Sequence, residues 1–280
     1  MNIIILDSFC KISNSFIKLH NLELINIPFV VNDEVLNYED YTKKDYSTDT
    51  FSNLFLQEEL LNKQELLNFF ESKLSENKNV YYICTIDKRS ANYDLITQVI
   101  KELKDKYFLN FIVIYLPSCC FASRDIVLKV ISIMNSRESV EKFAKYEIKN
   151  YLGKYTTLAI IDDKQVMSEY IERPTQLLSF GLKPIYVESK NNSDLLCKAE
   201  GLTLGVNRLA SIIKQTAQIE GDAKHLTISF AKNKKYADLL ENQLKTFFGD
   251  KIRVDKIVMN PLCIKKYGLG AIIVSFKGSI

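Results

Sequence analysis

All nine glycines of this 280-residue chain stand at Gly153 or later, so everything before that point must fold without one. Glycine is what lets backbone come close to a phosphate. A dinucleotide-binding turn needs it after the first strand, and a P-loop needs it so that main-chain amides can cradle phosphates. Neither motif can be built in the first half. Any ligand at a sheet edge there must be gripped by side chains, and the candidates are Asp7, Ser8, Arg89, Ser90 and Asn92. Hydroxyls and cations of this kind suit a small anion such as a carboxylate.

The same half alternates short apolar runs with longer amphipathic ones, the pattern of strands joined by crossover helices in a mostly parallel sheet. Asn2 to Leu6 reads as a buried strand ending at Asp7-Ser8, and Ile25 to Val31 as a second strand. Helical spacing runs over Gln57 to Leu74, Asn92 to Lys106, Phe121 to Met134 and Ser139 to Tyr151, the last with Ser136 and Glu138 as caps. Strands are expected at Val80 to Thr85 and Leu109 to Leu116.

Gly153 marks a change of pattern, which places a domain boundary near Lys154 and gives domains 1–154 and 155–280. The second part reads as a strand over Thr157 to Ile161, a helix across Thr175 to Phe180 stopped by Gly181, and a strand over Pro184 to Val187. A polar loop from Glu188 to Asp194 and a long helix near Leu202 to Ile219 follow. Leu226 to Phe230, Lys234 to Phe248 and Ile252 to Met259 form a β-α-β unit. Gly268-Leu-Gly270 then punctuates the run into a final strand, Ala271 to Phe276. The expected fold is α/β in two domains: a three-layer domain with a parallel sheet, and a second with a mixed sheet.

Composition excludes several functions. Lys and Arg number 37 and Asp and Glu 34, interleaved along the chain, whereas a surface that tracks nucleic-acid phosphates needs a local basic excess. Apolar runs such as Phe111 to Pro117 fall far short of the roughly 20 residues of a bilayer span. Met1 leads directly into a strand without a basic leader region, so the expected location is the cytoplasm. Six cysteines contain no C-x-x-C pair, and His20 and His225 have no ligand-like spacing, so neither a metal site nor another cofactor is expected. The cysteines read as small buried hydrophobes in a reducing compartment.

Three segments, taken in order, resemble the DegV family of bacterial fatty-acid-binding proteins. They are Ile3-Ile-Ile-Leu-Asp7-Ser8 with the Asn21 to Val31 strand and the acidic stretch to Asp40, then Cys84-Thr-Ile-Asp-Lys-Arg-Ser90-Ala-Asn-Tyr93, then Asn260-Pro261 through Lys266-Tyr-Gly268-Leu-Gly270-Ala271. The second is similar to the family's Ser-Gly-Thr-Tyr turn into a helix, and the third to its closing loop, here 260–270. The abundance of Lys, Asn and Ile points to an AT-rich bacterial genome.

The resemblance implies a non-catalytic protein that holds a long-chain fatty acid between its two domains, carboxylate on the N-terminal side and tail on the C-terminal side, and presents it to a separate fatty-acid kinase. It carries Ser90 over as a head-group hydroxyl and Lys266 as a closing-loop donor where the family usually has His. The family's Thr before the second helix falls near Glu58, with Thr50 and Ser52 matching only across a gap. The family's Arg aligns with Met167-Ser168-Glu169, and Arg89 is the candidate replacement.

Two readings of each residue stand open in the sequence itself. Ser90 is either a helix cap or a ligand donor, Lys266 and Arg89 are either donors or solvated loop charge, and Asn92 either caps the helix or braces the turn. Asp7 is a structural acceptor or, in a hydrolase or transferase acting on a small anionic substrate, a nucleophile, and Asp162-Asp163 is a paired carboxylate or a polar strand end. A family member that has lost lipid binding and meets only a protein partner is the third possibility. For an acyl ligand the tail dominates affinity: at about 0.8 kcal/mol per buried methylene, a chain of about 14 supplies on the order of 10 kcal/mol before ordering costs.

Overall fold

The computed structural model describes residues 2–10, 12–31, 34–37, 40, 56–86, 90–116, 123–136, 138–162, 180–188, 193–217, 224–259, 261–278 and 280. They form two compact units, one ending at Asn150 and the other beginning at Tyr151.

The first unit is built on β1 (Asn2–Asp7), β2 (Glu23–Ile25), β6 (Asn79–Cys84) and β7 (Phe111–Tyr115), all parallel in the order β2-β1-β6-β7. Adjacent residues Ile5 and Leu6 are both fully buried, as are Tyr82 and Ile83 opposite them, so both faces of the sheet are covered. That is why these strands are unbroken apolar runs. The helices are α1 (Asn14–Leu19), α2 (Lys63–Glu76), α3 (Tyr93–Lys106), α4 (Ser123–Met134) and α5, a continuous rod of Val140–Lys142, a π-helical Phe143–Glu147 and Ile148–Leu152. Phe70 on α2 meets the rings of Tyr82 and Phe111, each with centroids 5.3 Å apart, and ties that helix to the sheet.

A small antiparallel sheet stands apart from the main one: β3 (Phe29–Val31) between β4 (Glu34–Leu36) and β5 (Leu56–Glu58). Two sequence readings change here. The run Ile25 to Val31 is two strands in different sheets, broken at Pro28, which has no amide to donate to a ladder. The helical reading from Gln57 also starts too early. Residues 56–58 pair with β3, and α2 begins only after Asn62, whose side chain accepts the amides of Gln64 at 2.9 Å and Glu65 at 3.2 Å. The cap of α5 is likewise Ser139, which accepts the Lys142 amide at 3.3 Å, and not Ser136.

The second unit is a mixed six-stranded sheet, β10-β9-β8-β13-β11-β12, made of β8 (Tyr155–Ile160), β9 (Leu182–Glu188), β10 (Ser193–Glu200), β11 (Lys224–Phe230), β12 (Ile252–Val258) and β13 (Ile272–Lys277). Only β11 and β12 run parallel, and α7 (Lys234–Phe248) connects them. α6 (Gly201–Thr216) packs Val206, Leu209 and Ile213 into a core with Leu158, Ile185, Leu240 and Val274. The polar stretch read as a loop ends sooner than expected: β10 begins at Ser193 and runs to Glu200, over residues to which the sequence assigned no element. The closing segment read as a loop is a short helix, α8 (Pro261–Tyr267), ended by Gly268 at φ 84°, a left-handed position that favours glycine. The helix expected across Thr175 to Phe180 falls on residues outside those described. No described helix is long and apolar enough to cross a membrane.

Candidate functional site

From β1 the chain moves to β2 on one side, and from β6 to β7 on the other. The carboxyl ends of β1 and β6 are therefore a topological switch point, where connections diverge and parallel sheets receive ligands. Two groups of polar side chains are built on residues at or just after these ends, the second with Glu58 of β5 added.

The inner group centres on Asp7, which is fully buried. Its Oδ1 accepts from the Phe9 amide at 3.1 Å and from the Thr85 hydroxyl, and its Oδ2 from the Thr85 amide at 2.6 Å and the Tyr82 hydroxyl at 3.3 Å. Burial pushes the Asp7 carboxyl above the usual carboxylate range, while the bonds from Thr85, Phe9 and Tyr82 pull against that rise. Burial also holds the Cys84 thiol up at about 12, with the Asp7 charge adding to the effect, so this cysteine is an inert core group. Ser8 stitches the end of β1 to the chain after β2: its hydroxyl accepts the Ile27 amide at 3.0 Å, and its own amide bonds the Ile25 carbonyl at 3.0 Å.

The outer group joins three residues singled out in the sequence. Ser90 Oγ donates to Glu58 Oε2 at 2.5 Å and accepts the Asn92 amide at 3.2 Å. Asn92 Nδ2 reaches Glu58 Oε2 at 3.3 Å and the Glu59 carbonyl at 2.9 Å, while its Oδ1 accepts the Leu61 amide at 2.8 Å. Ser90 and Asn92 are buried. Asn92 occupies the capping position of α3 without a side-chain cap bond, because its amide is turned to the segment between β5 and α2. Glu58 arrives through the pairing of β5 with β3, which sets Glu58 opposite Phe29. The result is a carboxylate held at the start of a 14-residue helix, whose N-terminus favours negative charge.

Lys266 belongs to the second unit. On α8 its Nζ bonds Glu188 Oε2 at 2.9 Å and the Tyr267 hydroxyl at 2.8 Å. Asp162 pairs with Lys183, and Asn233 Nδ2 donates to the Gly270 carbonyl at 2.6 Å. Arg89, Thr50, Ser52, Asp163 and Met167 to Glu169 lie outside the described residues. Among those described, no group of three His, Cys, Asp or Glu side chains could hold a metal ion.

The structure thus brings Ser90, Asn92 and Glu58 together and gives Ser8 a tie within the strand ends. Sequence reasoning missed the Asp7 partners Thr85 and Tyr82. A hydroxyl residue directly after the strand beside β1 is the signal that could have pointed to Thr85.

The architecture of a doubly wound parallel sheet followed by a mixed six-stranded sheet is the fold of DegV family structures. A fatty acid binding DegV family protein from Streptococcus agalactiae is 14% identical, with a TM-score of 0.73 over 100% of this chain and 99% of that one. A DegV family protein from Ruminococcus gnavus, whose structure includes vaccenic acid, is 14% identical at a TM-score of 0.73, covering 98% of this chain and 99% of the other. The Streptococcus pneumoniae fatty acid kinase B3 protein, loaded with linoleic acid, is 14% identical at 0.69 over 100% of both chains. No protein-family model matches the sequence, and no curated protein is significantly similar to it.

Proposed function

We propose that this protein binds a long-chain fatty acid, with the carboxyl end directed to the Ser90 and Asn92 edge of the first unit, and performs no chemistry on it. One observation carries the reading: Ser90 Oγ and Asn92 Nδ2 converge on a single carboxylate oxygen, that of Glu58, at 2.5 and 3.3 Å. The two donors have the aim and spacing to hold a carboxyl group, and the N-terminus of α3 favours its charge. The fold supports the same reading, since the similar Ruminococcus and pneumococcal structures contain vaccenic and linoleic acid.

Asp7 is a brace and not a nucleophile in this reading, because each of its oxygens already accepts two hydrogen bonds. The protein presents its acid to a separate fatty-acid kinase, a role supported by the likeness to a fatty acid kinase B3 protein. Thermal denaturation of the delipidated protein with added oleate tests the binding. A ligand that binds only the folded state at about 100 times its Kd stabilises by about 2.7 kcal/mol, so the melting temperature rises with dose. An unchanged melting temperature with both oleate and palmitate contradicts the proposal.

A further inference from the structure

The head-group edge already holds an anion, and it is the protein's own. Ser90 has one hydroxyl proton, and it goes to Glu58. Asn92 has two amide protons, one directed to Glu58 and the other to the Glu59 carbonyl. A fatty carboxylate arriving here meets donors in use and a like charge beside them. A neutral head that can donate, such as a primary alcohol, meets an acceptor instead.

We propose that Glu58 sets head-group specificity at this edge: its carboxylate competes with the acyl carboxylate for Ser90 and Asn92, so the acid binds by displacing it and its margin over a neutral head on the same tail is narrowed. The proposal rests on the lipid-binding reading above and deepens it. Three features support it. The contact is made by two buried donors in the turn just before α3 and a strand residue more than 30 positions earlier in the chain, so it is fixed by tertiary structure and not by local sequence. Both donors are buried, so a second carboxylate that reaches them is brought beside the Glu58 charge, and like charges brought together discriminate against the newcomer. The N-terminus of α3 offers its partial positive charge to one anion, and Glu58 is there first.

Glu58→Gln separates charge from shape. The amide oxygen of Gln can still accept from Ser90, and the segment after β5 stays fastened by Asn92 to the Glu59 carbonyl and the Leu61 amide. Delipidated full-length wild type and E58Q are titrated with oleate and with oleyl alcohol, whose tails are the same. E58Q is expected to bind oleate at least about tenfold more tightly than wild type and oleyl alcohol equally or more weakly, so that the preference between the two lipids shifts toward the acid. Glu58→Ala serves as a second variant and shifts the oleate affinity in the same direction. Oleate binding that is unchanged or weaker in both variants overturns the role of Glu58 and leaves the lipid-binding reading intact. Failure of every protein to bind either lipid overturns both.

Discussion

Two carboxylates stand near the carboxyl edge of the parallel sheet, and their surroundings give them different work. Glu58 is half-buried and faces two side-chain donors, the geometry of a group that a ligand could displace. Asp7 is sealed in and takes four hydrogen bonds, two of them from Thr85, which fasten the end of β1 to the end of β6. Asp7→Asn places an amide NH2 where only acceptors fit, so the variant is expected to lose about 1–3 kcal/mol at pH 7, read from the midpoint of urea unfolding. The pH dependence has a definite sign. Because burial raises the folded-state pKa, folded Asp7 keeps its proton at a pH where the unfolded chain has lost it. That contribution to stability is fully present below the ordinary value of 3.8 and is lost as the pH rises through the folded value. The gap between wild type and D7N therefore widens on acidification from pH 7 toward 4. A gap that narrows over this range contradicts the assignment.

At the scale of elements, Asn92 is the joint between α3 and the segment leading into α2. Asn92→Ala leaves the Leu61 amide and the Glu59 carbonyl without their partner and is expected to destabilise by about 1–3 kcal/mol. Hydrogen exchange at the Leu61 amide should accelerate in the same variant, and unchanged protection there would remove the joint from the account. The elements that the sequence showed plainly are those whose surroundings are uniform. β1 and β6 are buried on both faces and read as continuous apolar runs, and α3 and α7 keep an unbroken apolar stripe. β10 was invisible for a physical reason: it is a sheet edge with a register shift between Leu195 and Cys197, so alternation fails and Leu195 and Leu196 are both exposed. The site was half legible. Ser90 and Asn92 announce themselves by standing just before an amphipathic helix, but the approach of Glu58 depends on β5 pairing with β3, a long-range register that no local pattern encodes.

At the scale of the molecule, this chain keeps the fold of DegV structures at 12–14% identity over nearly its whole length. What persists at that distance is the pattern of burial, which tolerates exchange among apolar residues of similar volume. On that frame Glu58 stands beside Ser90 and Asn92. If the frame still encloses an acyl chain, most of the affinity comes from the buried methylenes, at about 0.8 kcal/mol each, and the ligand should survive purification. The decisive measurement is mass spectrometry of the lipid released when the freshly purified protein is denatured. The account predicts one long-chain acyl lipid per protein chain. A lipid-free extract, together with no uptake of oleate or oleyl alcohol by the same preparation, would contradict it.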